Sequence, residues 1–90
     1  MGIKIHIPSY LQPYTNDKEV TEVTGGNVGE CLNNLIKQFP NIKKMLFDKE
    51  NRLHSYIGVY LNGEDIYPDI LTEPVKNGAE LHLLYIIGGG

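Results

Sequence analysis

Asn77-Gly78-Ala79-Glu80-Leu81-His82-Leu83-Leu84-Tyr85-Ile86-Ile87-Gly88-Gly89-Gly90 is the stretch that decides the fold. Asn77-Gly78 marks a tight turn, because both residues tolerate the positive φ that such turns need. Glu80 to Ile87 then reads as a strand, apolar enough to be central in a sheet. Three glycines follow it directly. A strand of this kind needs strands on both sides and a layer across one face, and the rest of the chain is read for those parts.

Working backwards, Tyr56-Ile57-Gly58-Val59-Tyr60-Leu61 is rich in β-formers and runs into Asn62-Gly63, the dipeptide best suited to a type I′ hairpin turn. Glu64-Asp65-Ile66 should be the returning strand. Pro68 and Pro74 flank an irregular connection to the last strand. At the other end, Ile3, Ile5 and Ile7 alternate with Lys4 and His6 until Pro8, which has no N–H for a ladder, so a first strand is expected over 2–7. Pro8 to Asp17 has turn formers and no clear period, and Lys18 to Val23 reads as a second strand that Gly25-Gly26 breaks.

Between the two strand groups lies a helix. Asn27 is a good N-cap and Glu30 stands three places on, the capping-box arrangement that satisfies orphan N–H groups at a helix start. Val28, Cys31, Leu32, Leu35, Ile36 and Phe39 recur at three- and four-residue spacing as one apolar stripe, and Pro40 ends the run. Asn41 to Phe47 is expected to form a further helical turn with Ile42, Met45 and Leu46 inward, before the polar loop 48–52.

The order is two strands, a helix and three strands. One greasy helix stripe and one sheet face in need of cover predict an α+β roll, a β-grasp with a mixed sheet of four to five strands and one main helix packed across one face. The first and last strands should lie side by side and parallel in the middle. The expected organisation is a single domain over 1–87 and a Gly-rich tail over 88–90.

Composition narrows the function classes. Ninety residues with 41% hydrophobic content suffice for one core and leave little room for a deep reaction pocket, so enzymatic work by the chain alone is not expected and no catalytic residue is assigned. With 8 basic and 11 acidic residues, the net charge of -3 supplies no positive field for a phosphate backbone, which excludes nucleic acid as the expected partner. The charged, alternating start is neither a signal peptide nor a membrane span, and no membrane partner is expected. Cys31 is the single cysteine, which suits a reducing, cytoplasmic setting. It lies on the helix stripe, where a buried structural thiol is ordinary. His6, His54 and His82 lack zinc-site spacing and fall on three different elements, so no metal is expected.

Strand alternation places Ile57, Val59 and Leu61 on the core face and Tyr56, Gly58 and Tyr60 on the outer face, with His82 and Leu84 also outward. If the strands pair as above, His6, Tyr60, His82 and Leu84 form an exposed aromatic and apolar patch leading toward the tail, a candidate docking surface for a partner. The other reading of these residues is scattered surface positions of no special role.

With the elements in place, the whole chain resembles the ubiquitin-like sulfur carriers of the ThiS and MoaD type. The resemblance rests on three pieces: the opening strand ending at Ile7-Pro8, the segment Arg52-Leu53-His54-Ser55-Tyr56-Ile57-Gly58-Val59-Tyr60-Leu61-Asn62-Gly63-Glu64-Asp65-Ile66, and Asn77-Gly78-Ala79-Glu80-Leu81 leading to the glycine terminus. Leu53-His54 followed by an aromatic, then Tyr60, Asn62 and Glu64-Asp65, is most similar to the cysteine-biosynthesis carriers within that group. The resemblance implies that the Gly90 carboxylate is adenylated by a ubiquitin-activating-like partner using ATP, with no cofactor bound to the carrier itself. A persulfide or sulfide would then convert it to a thiocarboxylate that donates sulfur to an accepting synthase, in a cysteine or related sulfur-amino-acid pathway. A metalloprotease that trims or releases the tail is a further implied partner. Gly88 and Gly89 would serve as flexible chain thin enough to thread into partner sites, since glycine has no Cβ to block a narrow channel.

Many members of the group end in two glycines, so the working carboxylate belongs to Gly90, or to Gly89 after removal of one residue. Molybdopterin and thiamine pathways use the same tail chemistry. A ubiquitin-like modifier joined to lysine amines is the alternative of another class, and an inert β-grasp interaction module is a third.

Overall fold

The computed structural model describes residues 2–86. Five strands, β1 (Ile3–His6), β2 (Val20–Val23), β3 (Ile57–Leu61), β4 (Glu64–Asp65) and β5 (Glu80–Tyr85), form one sheet in the order β2-β1-β5-β3-β4. The first and last strands are parallel neighbours, with Ile5 opposite Leu81 and His6 opposite His82, and every other pairing is antiparallel. The expected mixed β-grasp sheet is present with five strands, and its central strand is the apolar one.

Helix α1 (Val28–Gln38) starts where the capping signal places it: Asn27 Oδ1 accepts from the Glu30 N–H at 2.8 Å. Glu30 reaches back one residue further than in the usual box, accepting from the Gly26 N–H at 2.7 Å. The stripe Val28, Cys31, Leu32 and Leu35 is buried against Ile3, Ile5, Val59, Leu81 and Leu83 of the sheet, while Ile36 and Phe39 are only partly covered at the margin. Each fully buried aliphatic side chain contributes about 1.5–3 kcal/mol of burial free energy. Burial also pushes the Cys31 thiol above its ordinary value, as a core thiol requires.

A 3-10 turn (Pro40–Ile42) and the short helix α2 (Lys43–Leu46) close one end of the core with Ile42 and Leu46. The hairpin turn has positive φ at both Asn62 and Gly63, as type I′ demands, whereas at the second turn only Gly78 does. There the Ala79 N–H bonds to the Lys76 carbonyl at 3.0 Å, closing a four-residue turn with Gly78 third.

Several boundaries differ from the sequence reading. The stretch after Pro8 is a 3-10 helix (Ser9–Tyr14) that buries Leu11 completely; a turn with a single buried residue shows no period in sequence. β2 begins at Val20, two residues late, and β4 stops at Asp65. β5 runs to Tyr85, and Ile87 lies outside the described residues. Tyr56 does not join the outer row: a turn in which the Ile57 N–H bonds to the His54 carbonyl precedes β3, and the Tyr56 ring lies against His54 and Tyr85 instead.

The free edge of β2 is blunted by α1. Gln38 donates its side-chain amide to the Glu22 carbonyl at 3.0 Å and Asn34 donates to the Thr24 carbonyl at 2.7 Å.

Candidate functional site

The solvent face of the sheet brings His6, Tyr60, His82 and Leu84 together, but only Leu84 is exposed; the other three are half-buried. Pairing register draws one residue from each strand into a single row, Val20, His6, His82, Tyr60 and Asp65, across β2, β1, β5, β3 and β4. His6 and His82 stand side by side on parallel strands, and their rings stack with centroids 3.9 Å apart and planes within 3°. Tyr60 pairs with His82 from the other side, and Leu84 lies one step further along β5, opposite Gly58. Leu84 and Ile86, two residues apart, are both exposed on this face, while Tyr85 between them points to the other side. All four residues of the predicted patch are on one face. The glycines 88–90 lie outside the described residues.

Electrostatics add one group that sequence reasoning missed. The His6 Nε2–H donates to Glu80 Oε1 at 2.7 Å, since an ionised carboxylate only accepts. That bond, helped by the positive field of Lys4 nearby, holds the Glu80 carboxyl below its ordinary value. Nothing local in the sequence signals this contact, because it depends on the parallel register of strands from opposite ends of the chain.

A groove of about 950 Å³ opens beside the patch, with Tyr60, Leu84, Ile86, Arg52, Asp65 and Tyr67 among its lining residues. It was not anticipated, because the loops 51–55 before β3 and 67–72 after β4 complete its lining. On the inner side of the strand end, Tyr10, Tyr56 and Tyr85 cluster with ring centroids 5.1 and 5.4 Å from Tyr85. The Tyr10 hydroxyl is buried with no partner among the described residues, and burial first, then its tyrosine neighbours, pushes its pKa up to about 12. It therefore stays protonated at neutral pH.

Among the described residues, no three of His, Cys, Asp and Glu converge as metal ligands, and no helix is long and apolar enough to cross a membrane. Chemically the face offers stacked imidazoles, a phenol, an ion-paired carboxylate and exposed aliphatics, groups of the kind that protein interfaces use.

Comparison with known proteins agrees with this geometry. A family model described as "ThiS family" matches residues 5–90. The chain is 25% identical over 93 residues to the sulfur carrier protein CysO of Mycobacterium bovis, covering all of both chains. It superposes on a chain of the Amycolatopsis orientalis BexX/CysO complex with a TM-score of 0.86 and 31% identity, covering 98% of this chain and 99% of that one. It also shares the fold of SAMP1 from Haloferax volcanii, with a TM-score of 0.85, 24% identity and complete coverage of both chains.

Proposed function

The chain belongs to the ThiS family of small carrier proteins, and we propose that it carries sulfur on the terminal carboxylate of Gly90 as a thiocarboxylate. One observation carries the reading: the central strand of the family's fold bears His82 and Leu84 beside His6 and Tyr60, and Gly88-Gly89-Gly90 follow shortly after it in the sequence.

A terminal carboxylate, with a pKa of roughly 3.5, is an anion at neutral pH and a poor electrophile. A ubiquitin-activating-like partner supplies the activation. A carboxylate oxygen of Gly90 attacks the α-phosphorus of ATP, pyrophosphate leaves, and an acyl adenylate forms. Hydrosulfide then attacks the carbonyl carbon, AMP departs with the bond electrons, and the proton passes to solvent, leaving the thiocarboxylate. A synthase takes the sulfur into cysteine or a related sulfur amino acid, and a metalloprotease trims or frees the tail. The patch of His6, Tyr60, His82 and Leu84 holds the adenylating partner while Gly88 and Gly89 thread the carboxylate into its site. This chain supplies the acyl group and the docking face and no catalytic residue.

Intact mass after incubation with the adenylating partner, ATP and sulfide tests the reading. One oxygen-for-sulfur exchange is the expected product. Higher-mass lysine conjugates without that exchange would show a protein modifier instead.

A further inference from the structure

We infer that Gly58 is a positioning residue for the tail, acting through Ile86. The inference rests on the carrier reading above, because it concerns how the working end is aimed.

Gly58 is out of place by local rules. It interrupts a run of strand formers, where glycine weakens a strand by roughly 0.5–1 kcal/mol. It belongs to the outer face, yet it is buried. The cover comes from Ile86. A Cβ at position 58 would lie 2.9 Å from Ile86 Cδ1 and 3.1 Å from Cγ1, closer than carbon atoms pack, so the side chain of Ile86 occupies the space a larger residue would fill.

Ile86 is also held by its backbone. Its N–H bonds to the Tyr56 carbonyl at 2.7 Å, which extends the ladder between β3 and β5 one rung past Tyr85. Ile86 therefore has two fixings, a hydrogen bond on one side and a glycine seat beneath its side chain. It stands at the rim of the docking row, on the wall of the groove described above. On the carrier reading, four residues, Ile87 to Gly90, lead from it to the working carboxylate. Fully extended they span at most about 14 Å. The seat at Gly58 thus sets the point from which the tail starts, and the partner's reaction centre has to lie within that reach of the docked rim. Without the seat, ordering the additional chain on engagement would cost about one residue's conformational entropy.

Ala at position 58 is a mild probe, since the atoms it meets are the far end of a flexible side chain and not backbone. With the adenylating partner and ATP, conversion followed by pyrophosphate release should show that Gly58→Ala lowers kcat on the order of tenfold while KM stays within about twofold. Ile86→Ala, at a half-exposed position that leaves Gly58 intact, should do the same. The double variant should be no worse than Ile86→Ala alone, because position 58 acts only through Ile86. On the carrier alone, NMR should show contacts between the Gly58 α-protons and the Ile86 methyls, together with a protected Ile86 amide.

Missing NMR contacts overturn the seat. Contacts present with kcat unmoved, losses that simply add, or a change confined to KM overturn the positioning role while leaving the carrier reading intact. A wild-type chain that never exchanges oxygen for sulfur overturns the carrier reading and the positioning role together.

Discussion

The two faces of this sheet are written by the same alternation and used for opposite ends. On the inner face, Ile3, Ile5, Ile57, Val59, Leu81 and Leu83 are at most 2% exposed and pack under α1. On the outer face, Lys4, His6, Tyr60, Glu80, His82 and Leu84 share the same strands, one residue out of phase, and meet solvent. A residue's neighbour in sequence is thus its opposite in setting: Leu83 is buried in the core, and Leu84, in the proposed docking row, is exposed. Stability and recognition are separable on one strand because successive side chains point to opposite sides of the pleat.

The sharpest break of that comparison is Leu81→Ala. It leaves a cavity at the junction of β1, β5 and β3 and should cost about 2–5 kcal/mol in denaturant unfolding. A loss under about 1 kcal/mol would mean that the inner face is not the core. The outer counterpart, Leu84→Asp, should change unfolding by no more than about 0.5 kcal/mol, yet weaken docking to the adenylating partner on the order of tenfold or more, read by titration calorimetry. Equal effects of the two substitutions on unfolding would erase the distinction between faces.

A smaller effect is expected away from both faces. Asn27→Ala removes the oxygen that caps α1 and should cost about 1 kcal/mol of stability with docking unchanged. The smallest concerns charge on the outer face. The native Glu80 carboxyl is held low by the bond from His6, so its contribution to stability is complete above the ordinary glutamate value of 4.5 and drains away as pH falls through the lower native value. In His6→Ala the Glu80 carboxyl should titrate nearer its ordinary value, seen in its side-chain carbon shift. Lys4 and His82 would keep part of the depression. An unmoved titration would assign the effect to those neighbours.

Much of the fold was legible because its signals are local. The cap at Asn27, the stripe from Val28 to Leu35 and the Asn62-Gly63 turn each depend on residues a few places apart, and each appears where expected. The outer row was legible in part, because alternation alone assigns Tyr60, His82 and Leu84 to one side of their strands. The turn buried at Leu11, the early turn that takes Tyr56 out of the row, and the groove beside Leu84 were not legible. Each arises where a loop packs on the sheet, and loop packing has no period to read.

The sequence by itself determined which residues alternate, where the helix begins, where the chain must turn, and that three glycines follow an apolar run. Only the tertiary structure decided that His6 stacks on His82, that Glu80 receives the His6 proton donor, and that Ile86 sits on Gly58. Those contacts depend on register between strands far apart in the chain, and a slip of one residue would send every one of these side chains to the opposite face. Such a register is fixed by how the whole inner face fits beneath α1, which is a property of the assembled core and of no single segment.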